Sequence, residues 1–228
     1  NDRAQESRNR KVAEIKNSRQ TGHLLDYTLL DQLDHGLTVS HFAMALARKL
    51  GFDEDFVQTL GLAGLVHDIG KIRLGRYVED GKSMTVDEIK YVRMHSMFGS
   101  ELLKQQGFSE DIQQMVLYHH ENYDGSGYPR NLQGEEIPKG ARILRVCDVY
   151  AALLSDRPYR RAFDRDTAMA LMIEEVKNFD MQMFLVFQRL VHEEGLTPIV
   201  WLQKLPDSAQ AALLGELFPG FVQTACEK

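Results

Sequence analysis

From Leu25 to Leu50 apolar side chains recur at Leu33, Val39, Phe42, Ala43, Leu46 and Leu50, the three-and-four spacing of one buried helical face. Gly51 follows as a left-handed stop, so the spacing predicts one long helix. Asp53 can cap a second helix running through Leu65 to Asp68, and Thr85 with Glu88 forms a capping box for a third that ends before Gly107. Ser109 is placed to cap a fourth carrying Val116 and Leu117. Residues 122 to 140 hold four glycines and two prolines, a composition that excludes helix, and helical periodicity resumes from Ala141 to Leu154. Further helices are expected near 167–177, 181–194 and 207–217. All six prolines lie after residue 128, and no alternating apolar and polar run long enough for a strand stands out. The predicted fold class is all-α.

Composition narrows the picture. A chain of 228 residues with 43% hydrophobic and 26% charged side chains can bury a full core without disulfide staples. Its longest apolar runs, such as Met183 to Phe187, fall far short of the roughly 20 residues of a membrane span. A net charge of −6 argues against a DNA or RNA polymer as partner, so an anionic ligand must be met by local cations. Cys147 and Cys226 allow at most one disulfide, and there is no secretory h-region, so the expected location is cytoplasmic. The basic, polar stretch over residues 1 to 20 and the opening Asn1 suggest a fragment joined to an upstream region.

Eight histidines are present, and five of them, His35, His67, His95, His119 and His120, fall on successive predicted helices or at their ends. Asp68 adjoins His67, and Asp148 lies on the next helix. Each spacing amounts to about one helix plus one connection, so consecutive helices can each bring ligands to a shared point. His23, His41 and His192 take the ordinary reading of satisfied core or surface histidines. Imidazole mixed with carboxylate suits iron, manganese, nickel or zinc rather than magnesium or calcium. Seven donors exceed what one ion accepts while keeping an open position, so at least two ions are expected, with Asp68 able to bridge them.

LVHDIGK at 65–71, with His35 upstream and His95 downstream, then HHENYDGSGYP at 119–129 and RVCDVYAALLSDRPYRRAF at 145–163, resemble the HD-GYP subgroup of the HD phosphohydrolase superfamily. The match covers about residues 31 to 163, with an echo in Phe179 and Asp180. The resemblance implies a helical bundle enclosing a multinuclear metal site that hydrolyses a cyclic dinucleotide, chiefly cyclic di-GMP, by metal-activated hydroxide attack. The products would be linear pGpG or, after a second cleavage, GMP. It implies the metal ligands His35, His67, Asp68, His95, His119, His120 and Asp148, the substrate-contacting Lys71, and the phosphate-binding pair Arg157 and Arg160. Two or three ions are implied, iron or manganese foremost and nickel or zinc next. Members with three metals carry glutamate four residues before the first histidine. This chain has Asp31 there, a methylene shorter, so a firmly held pair and a weakly filled or empty third site are expected.

The parts expected are a helical linker over 1–22, the HD-GYP catalytic domain over 23–195, and a C-terminal helical extension over 196–228 packed on the bundle. Lys71 would add positive charge at the phosphate and assist the departing ribose oxygen, while Arg157 or Arg160 would clamp the second phosphate. Tyr128 has two readings at even weight: part of a turn that seats His119 and His120, or a ring at the pocket mouth that stacks on a base or meets a partner protein, such as a GGDEF-domain protein. Glu121 and Asp124 read as loop-fixing or ligand-orienting acceptors, and Cys147 as a small buried residue. A homodimer is compatible with this picture. Two other functions compete, a 3′,3′-cyclic GMP-AMP phosphodiesterase and a non-catalytic cyclic-dinucleotide sensor or docking module. The intact ligand set weighs against the second. The GYP and RPYR segments weigh against an HD hydrolase of nucleoside triphosphates or guanosine polyphosphates.

Overall fold

A computed structural model describes residues 29–74, 85–156 and 160–199, with residues 29–31 described as helical backbone only. The linker over 1–22, Arg157, Trp201, Cys226 and the helix expected at 207–217 lie outside the described residues. Eight α-helices are present among those described: α1 (Leu29–Lys49), α2 (Glu54–Val66), α3 (Val86–Arg93), α4 (His95–Gln105), α5 (Glu110–Tyr118), α6 (Lys139–Leu154), α7 (Arg165–Glu174) and α8 (Met181–Glu193). Short 3-10 turns occupy Ile69–Leu74, Gly134–Glu136 and Val176–Asn178, and no strand is found among the described residues. The all-α expectation is therefore met.

α1 buries Val39, Phe42, Ala43, Leu46 and Ala47 completely, so the apolar spacing is the core face. It ends at Gly51, whose φ of 83° turns the chain back toward α2. There the Asp53 carboxylate accepts from the Phe56 N–H at 2.8 Å. α6 runs through the centre. It buries eleven of its sixteen residues, and its Tyr150 ring meets Phe42 of α1 at 5.7 Å and Phe187 of α8 at 5.2 Å between centroids. A buried ion pair, Arg142 Nη1 to Asp180 Oδ2 at 2.7 Å, ties α6 to the start of α8. Asp180 also caps α8 by accepting from the Gln182 and Met183 N–H groups. Beyond α8 the chain returns along α1. Lys49 pairs with Glu194 at 2.7 Å, Leu196 is buried, and the Ile199 backbone both accepts from and donates to the Thr38 hydroxyl at 3.0 Å.

Several boundaries differ from the sequence reading, and α7 too runs over Arg165–Glu174 where the sequence reading gives 167–177. The segment expected as one helix from Thr85 to before Gly107 is two, because the Met94 N–H bonds to Tyr91 O at 3.0 Å and the helix restarts at His95. The capping box of Thr85 and Glu88 is present as expected. α2 stops at Val66 rather than Asp68, which leaves His67 and Asp68 on a tight turn leading into the 3-10 segment. Ser109 stands before α5 but its side chain makes no capping bond; α6 in turn starts earlier, at Lys139, directly after Pro138.

Candidate metal centre

The seven expected side chains come from five stretches of the bundle, and the fold brings them all to one place. His35 projects from the middle of α1, His67 and Asp68 from the turn after α2, and His95 from the first residue of α4. His119 and His120 follow α5, and Asp148 lies on α6. Gly70 permits this approach. A Cβ there would lie 1.9 Å from the His95 carbonyl oxygen and 2.4 Å from the Gly99 nitrogen, so only glycine lets the 3-10 turn lie against the start of α4.

Asp68, His95, His119 and His120 place ligand atoms within 4.8 Å of one another, and so do His35, His67 and Asp68. Asp68 is common to both groups, which is the geometry a bridging carboxylate needs. Asp148 joins the second group, with Oδ1 3.0 Å from His35 Nε2 and 3.7 Å from His67 Nε2. Lys71 donates to Asp68 from the rim of the cluster.

The tautomers are fixed locally. Nδ1 of His67, His95 and His119 lies 2.7, 2.7 and 2.6 Å from the carbonyls of Gly64, Val92 and Val116, three residues earlier in each case. A carbonyl only accepts, so each Nδ1 carries the proton and each Nε2 presents a lone pair to the cluster. His95 Nε2 and His119 Nε2 are 3.4 Å apart. Two lone pairs facing each other repel, and a cation between them turns that contact into attraction. The His67 Nε2 and Asp68 Oδ1 atoms are buried with no hydrogen-bond partner, which gives the same signal from the other half of the cluster. The residues present therefore fit divalent metal ions.

Electrostatics agrees. Burial, reinforced by His67 and His95, pulls His119 down to about 3. Burial likewise lowers His35, His95 and His120. Burial also acts on His67, but the carboxylates of Asp68 and Asp148 outweigh it and leave that imidazole raised. Burial pushes Asp68 and Asp148 up, yet Lys71 and the histidines around Asp68, and the His35 hydrogen bond and nearby His67 beside Asp148, hold both well below the usual carboxylate range. Four imidazoles kept neutral by burial around ionised carboxylates are what a divalent ion binds.

The loop between α5 and α6 holds the His119–His120 pair from outside. Tyr128 stacks on His120, with ring centroids 4.8 Å apart and planes 28° apart, and the Arg93 guanidinium lies over the Tyr128 ring at 5.1 Å. A Cβ at Gly127 would lie 2.2 Å from the Asn122 nitrogen, so glycine is required where the loop folds onto itself. The buried Glu121 carboxylate accepts from the N–H groups of Arg130 at 2.6 Å and Leu132 at 3.1 Å, which makes it a loop-fixing group. Asp124 accepts from Ser126 and pairs with Lys177. Cys147 is fully buried in the core.

Arg160 is used differently from the sequence reading. Its guanidinium donates to the carbonyls of Ala152, Leu153, Ser155 and Arg161, so it closes the C-terminus of α6 instead of facing the cluster. His41 and His192 are exposed and away from the centre, and His23 lies outside the described residues. Sequence reasoning gave no role to Arg93, Asn122 or Arg145. Arg145 carries the one available signal, standing three residues before Asp148 on the same helix.

A family model described as HD domain matches residues 6–183. The chain belongs to the HD domain family. Among curated proteins, this HD domain is 37% identical over 183 residues to a cyclic di-GMP phosphodiesterase of Pseudomonas aeruginosa, covering 79% of this chain and 43% of that one. It is 44% identical over 138 residues to a cyclic di-GMP phosphodiesterase response regulator of Xanthomonas campestris pv. campestris, covering 59% and 36%. A 3′3′-cGAMP-specific phosphodiesterase of Vibrio cholerae is 35% identical over 159 residues, covering 68% and 37%. The chain thus spans less than half the length of these relatives. In structure it is similar to an HDG"Y"P protein from Bdellovibrio bacteriovorus, with TM-score 0.59 and 21% identity, over 74% of this chain and 55% of that one.

Proposed function

We propose that this HD domain is the catalytic part of a metal-dependent phosphodiesterase that opens a cyclic dinucleotide, with cyclic di-GMP as substrate and linear pGpG as first product. The observation that carries the proposal is the pair of donor groups sharing Asp68, with histidine lone pairs turned toward one another. Two ions are held in this reading. His95, His119, His120 and Asp68 serve one; His35, His67, Asp68 and Asp148 serve the other. The donor set suits iron, manganese, nickel or zinc, and the resemblance to the HD-GYP subgroup puts iron or manganese first. When bound, such ions supply Lewis acidity and lower the pKa of water toward 7.

The chain's own residues do the rest. Asp68 holds both halves of the cluster in register, and the carbonyls of Gly64, Val92 and Val116 keep three imidazoles in the ligating tautomer. Lys71, already beside Asp68, turns its ammonium to the scissile phosphate and supplies a proton to the departing ribose oxygen. Tyr128 fixes His120 by stacking, which supports the seating role over the partner-binding one. Arg157 is the phosphate clamp of the RPYR segment in this reading, while Arg160 holds the end of α6.

Similarity to a 3′3′-cGAMP-specific phosphodiesterase favours a second reading, in which the mixed dinucleotide is the substrate. No helix among the described residues is long and apolar enough to cross a membrane; a cytoplasmic signalling role is part of this proposal. A GGDEF-domain partner or a second copy of the chain is then a natural regulator. Turnover of cyclic di-GMP, 3′,3′-cyclic GMP-AMP and cyclic di-AMP by manganese- or iron-loaded protein, followed by product chromatography, tests the proposal. Cleavage of cyclic di-GMP above the others is expected. Binding of all three without cleavage would establish the sensor reading instead.

A further inference from the structure

α6 is buried along most of its surface, and its half-buried positions include one stripe. Arg145, Val149 and Ala152 are half-buried there, and their spacing puts them on the face that carries Asp148. Arg145 stands one turn before Asp148, and its Nε donates to Asn122 Oδ1 at 2.9 Å. Asn122 is two residues past His120. The guanidinium therefore stands on the His120 side of the cluster, whereas Lys71 contacts Asp68. Holding Nε on Asn122 fixes the plane of the guanidinium fork, which favours an oxyanion with two oxygens in one plane.

A cyclic dinucleotide brings two phosphodiester anions. The metal centre and Lys71 answer the one being cleaved; the other, assigned above to Arg157, has two non-bridging oxygens and can accept from a second guanidinium. Arg160 is committed to the carbonyls at the end of α6. We propose that Arg145 binds the non-reacting phosphate of the cyclic dinucleotide together with Arg157. The assignment rests on the phosphodiesterase reading above. It makes Arg145 a determinant of preference for two-phosphate substrates over simple phosphodiesters.

The test compares cyclic di-GMP with bis(p-nitrophenyl) phosphate, which has one phosphate, using wild type, Arg145→Gln and Arg145→Lys at equal metal content and equal helicity by circular dichroism. For Arg145→Gln the loss in kcat/KM on cyclic di-GMP should exceed the loss on bis(p-nitrophenyl) phosphate at least tenfold, chiefly through KM. Arg145→Lys should fall between, because it keeps the charge and loses the fork; it also serves if the glutamine variant fails to fold. Equal losses on both substrates would show that Arg145 only anchors the loop through Asn122 and would overturn the proposal. An unchanged KM for cyclic di-GMP would do the same. If wild type cleaves bis(p-nitrophenyl) phosphate but neither cyclic di-GMP nor 3′,3′-cyclic GMP-AMP, the cyclic-dinucleotide reading itself falls, and this assignment with it.

Discussion

His95 Nε2 faces His119 Nε2 at 3.4 Å, and since both rings spend their Nδ1 protons on carbonyls three residues back, no proton lies between them. The backbone sets this contact, because the two carbonyls belong to the last turns of α3 and α5. Helix ends with carbonyls to spare thus decide which nitrogen of each histidine is offered to an ion.

A pH dependence follows for the metal-free protein. Burial holds His119 at about 3, against 6.5 for an ordinary histidine. Between those values the unfolded chain binds a proton that the folded one refuses, so folding stability drops as pH falls from about 6.5 toward 3. Thermal melts of chelated protein from pH 7.5 to 4.5 should show this decline, and His119→Gln should flatten it. An equal slope in the variant would place the titration elsewhere.

The Arg142–Asp180 pair is a structural tie away from the histidine cluster. Asp180→Ala removes a buried partner charge and the cap of α8 together, and should cost about 3–5 kcal/mol in urea unfolding. Replacing both residues by apolar ones of similar size should recover part of that loss. A cost below 1 kcal/mol would show the pair to be effectively solvated.

Lys71→Ala should lower kcat about a hundredfold, as removal of a preorganised charge at the phosphate does, while KM moves less. Metal content, measured in parallel, should stay near wild type. Loss of metal in this variant would recast Lys71 as a support for Asp68.

Asp31 lies in the first turn of α1, four residues before His35. Residues four apart share a helix face, but aspartate is shorter than glutamate by one carbon–carbon bond. Asp31→Glu should therefore raise metal bound per chain, and it should shift product from linear pGpG toward GMP if the third ion serves the second cleavage. Unchanged metal content would contradict the third-site account.

Much of this was legible in the sequence because it depends on local pattern. The apolar spacing of Val39, Phe42 and Leu46 gave α1, and the intervals from His35 to Asp148 gave one contribution per helix. What stayed hidden depends on tertiary contact. The break at Met94 follows from a turn on which Gly70 packs, and a capping box at Thr85 says nothing of where its helix ends. Arg160 reads as a phosphate ligand from its motif, yet the carbonyls at the end of α6 are nearer. The cation–π contact of Arg93 with Tyr128 joins residues 35 positions apart, and no periodicity encodes it.

The central claim is that the seven-residue cluster is a metal-dependent phosphodiesterase centre. The most direct measurement is product chromatography after incubating cyclic di-GMP with metal-loaded wild type and with the His67→Ala, Asp68→Ala double variant, both shown to be folded by circular dichroism. The account predicts linear pGpG from wild type, none from the double variant, and at least two metal ions lost per chain between them. Undiminished turnover in the folded double variant would contradict it.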